Sequence, residues 1–135
     1  MTNAELATIH AAAMAVPRPW AAHEIGALRL MPGAVEVIRP QGFALGRVTV
    51  DEGELLTVAV HPAAQSRGLG RAILNDFHDA LRQRGAALCH LEVAEHNAPA
   101  RALYAALGYT QTGRRRGYYT EDRPPQDAIV MALTL

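Results

Sequence analysis

Val58-Ala59-Val60-His61-Pro62-Ala63-Ala64-Gln65-Ser66-Arg67-Gly68-Leu69-Gly70-Arg71 is the stretch on which the reading of this chain turns. An apolar run ends at Val60, a Pro-containing turn follows, and two glycines open a segment with apolar residues every three or four positions: Leu69, Ile73, Leu74, Phe77, Leu81. That spacing predicts an amphipathic helix over residues 69–81, closed by Arg84-Gly85. A strand over residues 54–60 feeds the helix, and a strand over 87–93 follows it. Strand, helix and strand in that order make a right-handed crossover between parallel strands. The first turn of a helix offers free N–H groups and the positive end of its dipole. Glycines let a phosphate approach that backbone, and Arg67 and Arg71 add charge. The same loop can also be a strand-to-helix turn that needs glycine only for its geometry. It is not a Walker A loop, because no Gly-Lys-Ser/Thr follows. It is not a dinucleotide fingerprint either: Ile73 stands where the third glycine belongs.

Working outward, residues 4–14 are alanine-rich with Leu6, Ile9 and Ala13 at helical spacing, and Pro17 and Pro19 stop that helix. A short helix over residues 21–30 ends at Pro32-Gly33. Strands are predicted over 34–39 and 42–50, with turns at 40–42 and 51–53, making an antiparallel meander into the 54–60 strand. Beyond the crossover come a helix over 98–107 stopped by Gly108, then strands over 109–118 and 127–135 joined by a turn at 121–125. The fold class is therefore α/β (α+β): a mixed, mostly antiparallel sheet with one parallel pair and helices on both faces. At 135 residues, half of them hydrophobic, the chain is read as one domain with its own core.

Thirteen Lys+Arg balance thirteen Asp+Glu, so there is no electrostatic footprint for nucleic acid or for an anionic membrane. No uninterrupted apolar stretch is long enough to span a bilayer, and the N-terminus does not read as a signal peptide. Cys89 is the single cysteine, so no intrachain disulfide forms, which fits a cytoplasmic protein. No His/Cys cluster has metal-ligand spacing, and no metal is expected.

The stretch from Val58 to Gly70 resembles motif A of the GCN5-related N-acetyltransferases (GNAT). Leu91-Glu92-Val93, Asn97 and Ala102-Leu103-Tyr104-Ala105-Ala106-Leu107-Gly108-Tyr109 resemble the family's next motif, in the right order. The tail, Arg114-Arg115-Arg116-Gly117-Tyr118-Tyr119 followed by Asp127-Ala128-Ile129-Val130-Met131-Ala132-Leu133, is similar to one bacterial branch that acetylates a ribosomal protein at an N-terminal alanine. The resemblance implies acetyl-CoA as cosubstrate. It implies that the backbone of Val58, Ala59 and Val60 holds pantetheine like an added strand. It also implies that the amides of Ser66, Arg67, Gly68, Leu69, Gly70 and Arg71 bind the pyrophosphate. Asn97 and Tyr104 then lie near the thiol, and the two parallel strands splay apart so that pantetheine enters between them.

Transfer of an acyl group to an amine needs a base for the amine proton and an acid for the leaving thiolate. Glu92 sits between Leu91 and Val93, where desolvation would raise its pKa and suit it to be the base. The same residue can be a solvated strand-end glutamate paired with an arginine. The resemblance favours the base. Tyr104 is either a half-buried aromatic or, as the resemblance implies, the acid beside the sulfur, about two helical turns from Asn97. His61 reads as a loop residue, His90 as a packing residue on the Glu92 face, Cys89 as a buried apolar residue on the other face, and Trp20 as a core or lip residue. Arg114–Arg116 adjoin the expected acceptor loop. An α-amine, with a pKa of about 7.7–8.0, is roughly one-tenth neutral near pH 7, whereas lysine at about 10.4 is scarcely neutral at all. A protein or peptide N-terminus is thus the first acceptor, and a small amine the second. A non-catalytic acyl-CoA-binding module is the third reading. The branch carries Arg and Ser where Ala94 and His96 stand, beside the acceptor groove.

Overall fold

The apolar stripes decide which face of the sheet each helix covers. The computed structural model describes residues 1–13, 18–121 and 124–135. In chain order they form α1 (Asn3–Ala13), α2 (Ala22–Arg29), β1 (Ala34–Arg39), β2 (Gly42–Thr49), β3 (Glu52–Val60), a 3-10 turn (Pro62–Ala64), α3 (Leu69–Gln83), β4 (Leu88–Ala94), α4 (Ala98–Ala106), β5 (Thr110–Tyr119) and β6 (Gln126–Thr134). The sheet order is β1-β2-β3-β4-β6-β5, antiparallel throughout except for the β3–β4 pair. This is the mixed sheet with one parallel pair that the crossover spacing predicts.

α3 turns Ile73, Leu74, Phe77 and Leu81 inward, where they pack with Val35, Val37, Ala44, Leu55, Cys89, Leu91 and Val93. Tyr104 of α4 joins the same core. On the opposite face, Leu6 and Ile9 of α1 and Ile25 of α2 meet Phe43, Leu45 and Ala59. Burial of these side chains is the main favourable term that holds the two helical layers to the sheet. α1 starts with a reciprocal cap that the sequence reading passed over. The Thr2 amide donates to the Glu5 carboxylate at 3.0 Å, and the Glu5 amide donates to the Thr2 hydroxyl at 3.1 Å.

The β2–β3 connection differs from expectation. The turn is Val50-Asp51 rather than residues 51–53, and β3 already begins at Glu52. A two-residue hairpin connection requires positive φ; Val50 supplies it at +59°, with its side chain in solvent. Gly53, read as a turn residue, lies within the strand, where a Cβ would sit 2.7 Å from Leu81 Cδ1. Met14 and Pro17, at the expected end of the first helix, and Asp122 and Arg123, in the expected final turn, lie outside the described residues. Among the described residues, no helix is long and apolar enough to cross a membrane.

Candidate active site

β3 and β4 pair only through Glu52–Leu88, Gly53–Cys89 and Glu54–His90. Beyond that point residues 55–60 keep β2 as a neighbour and residues 91–94 keep β6, but the two strands no longer pair with each other. Their separation opens a cleft of about 1020 Å³, walled by both strands, the loop before α3, α4 and β5. A bulge starts the divergence. Gly46 pairs with Leu55 and Leu45 with Thr57, which leaves Leu56 as the extra residue. A bulge of this kind bends its strand and sharpens the local twist. It also reverses the side-chain alternation: Leu55 faces the α3 core, whereas Ala59 faces α1.

The backbone of β3 is divided between its two sides. His61 N–H donates to Gln41 O at 2.8 Å, so the antiparallel alternation directs Ala59 toward β2 and Val58 and Val60 toward the cleft. Of the three residues expected to hold pantetheine, Ala59 therefore has its peptide groups engaged within the sheet. The Gln65 side-chain amide donates to Val60 O at 2.9 Å and pins the following loop to the strand end.

That loop leads into α3 through two residues of left-handed backbone. Ser66 and Gly68 both take positive φ, +63° and +78°, and Gly68 is the N-cap of α3 with no side-chain cap bond. Alternation of this kind turns successive N–H groups into one concavity at a helix start. A Cβ built on Gly68 meets nothing within 4 Å, so the loop face there is open. Gly70 is closer packed, with Leu103 Cδ2 3.4 Å from its Cβ position. Ser66, Gly68, Leu69, Gly70 and Arg71 line the cleft. Arg67 is exposed and is not part of that wall.

Across the fork stand Glu92, Asn97 and Tyr104. The expected desolvation of Glu92 does not occur. Its side chain keeps 29% of its accessible surface, and its Oε1 lies 2.7 Å from Arg115 Nε. The strand alternation that buries Leu91 and Val93 turns the intervening carboxylate outward, where β5 supplies the arginine. Tyr104 is buried, and burial is the main cause that holds its hydroxyl well above the usual tyrosine range. Asn97 caps α4, its Oδ1 accepting from the Ala100 amide at 3.2 Å, so its acceptor end serves the helix while its NH₂ donors remain.

Residues 13–109 match the family model described as the Acetyltransferase (GNAT) family. The chain belongs to the GNAT family. It is 45% identical over 93 residues to the [ribosomal protein bS18]-alanine N-acetyltransferase of Escherichia coli K12. That alignment covers 69% of this chain and 63% of the relative, so the match spans less than two-thirds of the relative's length. The crystal structure of the ribosomal-protein-S18-alanine N-acetyltransferase from Escherichia coli superposes with a TM-score of 0.83 and 34% identity, over 95% of this chain and 84% of that one. The Salmonella typhimurium protein yncA, solved with its cofactor acetyl-CoA, shares the fold at a TM-score of 0.78 and 24% identity, over 100% of this chain and 91% of that one.

Other parts of this GNAT cleft were less legible in the sequence. Trp20 forms part of the lip and stacks on His10 at 5.0 Å between ring centroids. His10 accepts the Trp20 amide at Nδ1, so the proton of the neutral ring is on Nε2 and is donated to Thr57 Oγ1 at 3.0 Å. Nothing in the spacing of a lone histidine on an alanine-rich helix signals this three-element lock. Tyr119 is buried on the cleft wall; burial first, then the nearby Glu92 charge, pushes its hydroxyl up to about 12. His90 reaches Glu54 at 3.7 Å. His61 caps the 3-10 turn, its Nδ1 accepting from Ala63 N–H, and Cys89 is fully buried with its thiol pKa raised by burial. Arg114 is held by Glu95 at 2.8 Å and Asp127 at 2.7 Å. Among the described residues, no group of three His, Cys, Asp or Glu side chains is placed to hold a metal ion.

Proposed function

We propose that this chain transfers an acetyl group from acetyl-CoA to a primary amine. The first candidate acceptor is the α-amine of a protein N-terminus, in particular an N-terminal alanine of a ribosomal protein, met in the cytoplasm. The observation that carries this reading is the fork: unpaired β3 backbone and an open glycine N-cap on one wall, and a carboxylate and a buried tyrosine on the other. Acetyl-CoA supplies the acetyl group already activated as a thioester. Val58 and Val60 bind its amide-bearing arm through their backbone groups, as a sheet edge binds an added strand. The amides of Ser66, Gly68, Leu69 and Gly70, with Arg71 beside them, hold the pyrophosphate, and Arg67 adds long-range charge from outside the wall. Asn97 donates from its NH₂ group.

Glu92 takes the proton that the attacking nitrogen must lose, directly or through water. Tyr104 keeps its proton at neutral pH and gives it to the departing sulfur. Its raised pKa supports that assignment, because the group is fully protonated when needed. The rim favours an extended acceptor over a small amine in a closed pocket. Arg115 and Tyr118 at the mouth are both exposed, so the acceptor side of the cleft is open to solvent.

The test is acetyl-CoA consumption over three acceptor sets: peptides with a free N-terminal alanine, N-blocked peptides with one lysine, and small primary amines. Turnover concentrated in the first set is the expected result. Turnover only with small amines overturns the protein acceptor. Tight CoA binding without turnover on any set overturns the enzyme reading and leaves an acyl-CoA-binding module.

A further inference from the structure

We infer that Arg115 is an acceptor filter: by pairing with Glu92 it keeps ammonium ions from collecting at the base, and so favours amines that are neutral near pH 7 over lysine-like ones. The inference rests on the reading of Glu92 as the base. Arg115 Nε lies 2.7 Å from Glu92 Oε1, and both side chains line the cleft. The guanidinium carbon stands 5.5 Å from the centroid of the Tyr118 ring. Arg115 is also the last β5 residue in regular register, opposite Ala128, before the pairing breaks and resumes at Tyr119. The neighbouring Arg114 is committed to Glu95 and Asp127, which leaves Arg115 to face the base.

An unpaired carboxylate in a cleft attracts cations, and a protonated amine is a cation without a nucleophilic lone pair. With Arg115 beside it, Glu92 belongs to a pair of net charge zero, so the ammonium form gains little by entering. The neutral form loses nothing. The pair is partly open to solvent, Arg115 keeping 59% of its side-chain surface, so it is weak enough for an arriving acceptor to part it. Discrimination then comes from a repulsive element against the wrong form, as well as from contacts to the right one. The other charged and titratable groups that share the cleft wall with the pair include His90 of β4 with its Glu54 partner on β3, Tyr104 of α4, and Tyr118 and Tyr119 of β5. Among the described residues, Arg115 carries the charge that touches Glu92, and a change there removes it.

The test compares wild type, Arg115→Gln, Arg115→Lys and Glu92→Gln with an α-amine peptide and a lysine peptide from pH 6.5 to 8.5. Wild type should show an apparent KM for the α-amine peptide that falls as pH rises, because the neutral fraction grows through its pKa of about 7.7–8.0. Arg115→Gln should flatten that fall. It should also shift the α-amine to lysine ratio of kcat/KM roughly three- to fivefold toward lysine, the size of effect expected from one partly exposed charge. Arg115→Lys should restore both. Calorimetric CoA affinity and melting temperature, unchanged across the set, separate this from a folding defect. An unaltered pH dependence and ratio in Arg115→Gln overturns the filter while a slow Glu92→Gln still stands as evidence for the base. A fully active Glu92→Gln overturns the base and the filter together.

Discussion

At one end β3 and β4 hold each other through Glu52–Glu54 and Leu88–His90; at the other, residues 55–60 and 91–94 face each other across the cleft. The closed end carries Glu52, Gly53, Glu54, Leu88, Cys89 and His90, whereas Val, Leu and Ala dominate residues 55–60 and 91–94. The two ends also differ in what the backbone and the small residues meet. At the closed end space is used up: a Cβ on Gly46 would lie 2.2 Å from Glu54 O and 2.4 Å from Phe77 Cζ. At the open end peptide groups are left without strand partners, and Gly68 has nothing within 4 Å of a Cβ position. Closed-end changes should therefore be read in stability, and open-end changes in binding and rate.

The largest effect is expected at the closed end. Gly46→Val drives a branched side chain into a backbone carbonyl and Phe77, and should destabilise by about 3 kcal/mol, at the upper end of overpacking costs. Thermal unfolding should show a melting point lower by more than about 10 °C, with CoA affinity of the folded protein kept. A normal melting point would break the comparison at its structural end.

Glu92→Gln keeps shape but cannot take a proton, and should cost roughly a hundredfold or more in rate at pH 7 with melting temperature and CoA affinity unchanged. Raising the pH should recover part of the rate as more acceptor becomes neutral. A stability loss without pH rescue would make Glu92 structural instead.

Acid sharpens the comparison from the buried side. His10 and His78 are buried, and burial holds both at a pKa of about 4, below the ordinary 6.5. The unfolded chain binds their protons more readily than the folded one, so stability is full above about 6.5 and is lost as pH falls toward 4. At pH 5 each should cost about 2 kcal/mol. Denaturant unfolding at pH 7 and pH 5 measures this, and His78→Gln should reduce the difference if His78 carries its share.

Tyr104→Phe should slow turnover about ten- to a hundredfold while CoA still binds; the effect is limited because a thiolate with a parent pKa near 8.5 can leave unaided. An unchanged rate with every acceptor would remove Tyr104 from the acid role. The smallest effect is expected at the loop. Gly68→Val forces a branched residue to φ +78° and roughens the phosphate cradle, and should weaken CoA about tenfold with kcat nearly preserved at saturation. Equal CoA affinity by calorimetry would argue that the loop is only a turn.

Local pattern was enough for the elements and their order. The 3.6-residue apolar spacing of α3, the Gly-rich entry at Gly68 and the strand–helix–strand sequence each follow from nearest-neighbour chemistry, and β1 was placed to the residue at Ala34–Arg39. Gly68 stood out from the glycine-rich helix entry itself, whereas Glu92, Asn97 and Tyr104 were singled out through the resemblance of their motifs to the GNAT family. Tertiary structure decided the rest. The bulge at Leu56, the commitment of the Ala59 backbone to β2, the Arg115 contact to the partly exposed Glu92, and the His10–Trp20–Thr57 lock all join residues far apart in the chain. Whether a carboxylate flanked by Leu and Val is desolvated depends on which strand stands opposite it, and that is fixed only when β5 packs beside β6 and brings Arg115 to the cleft.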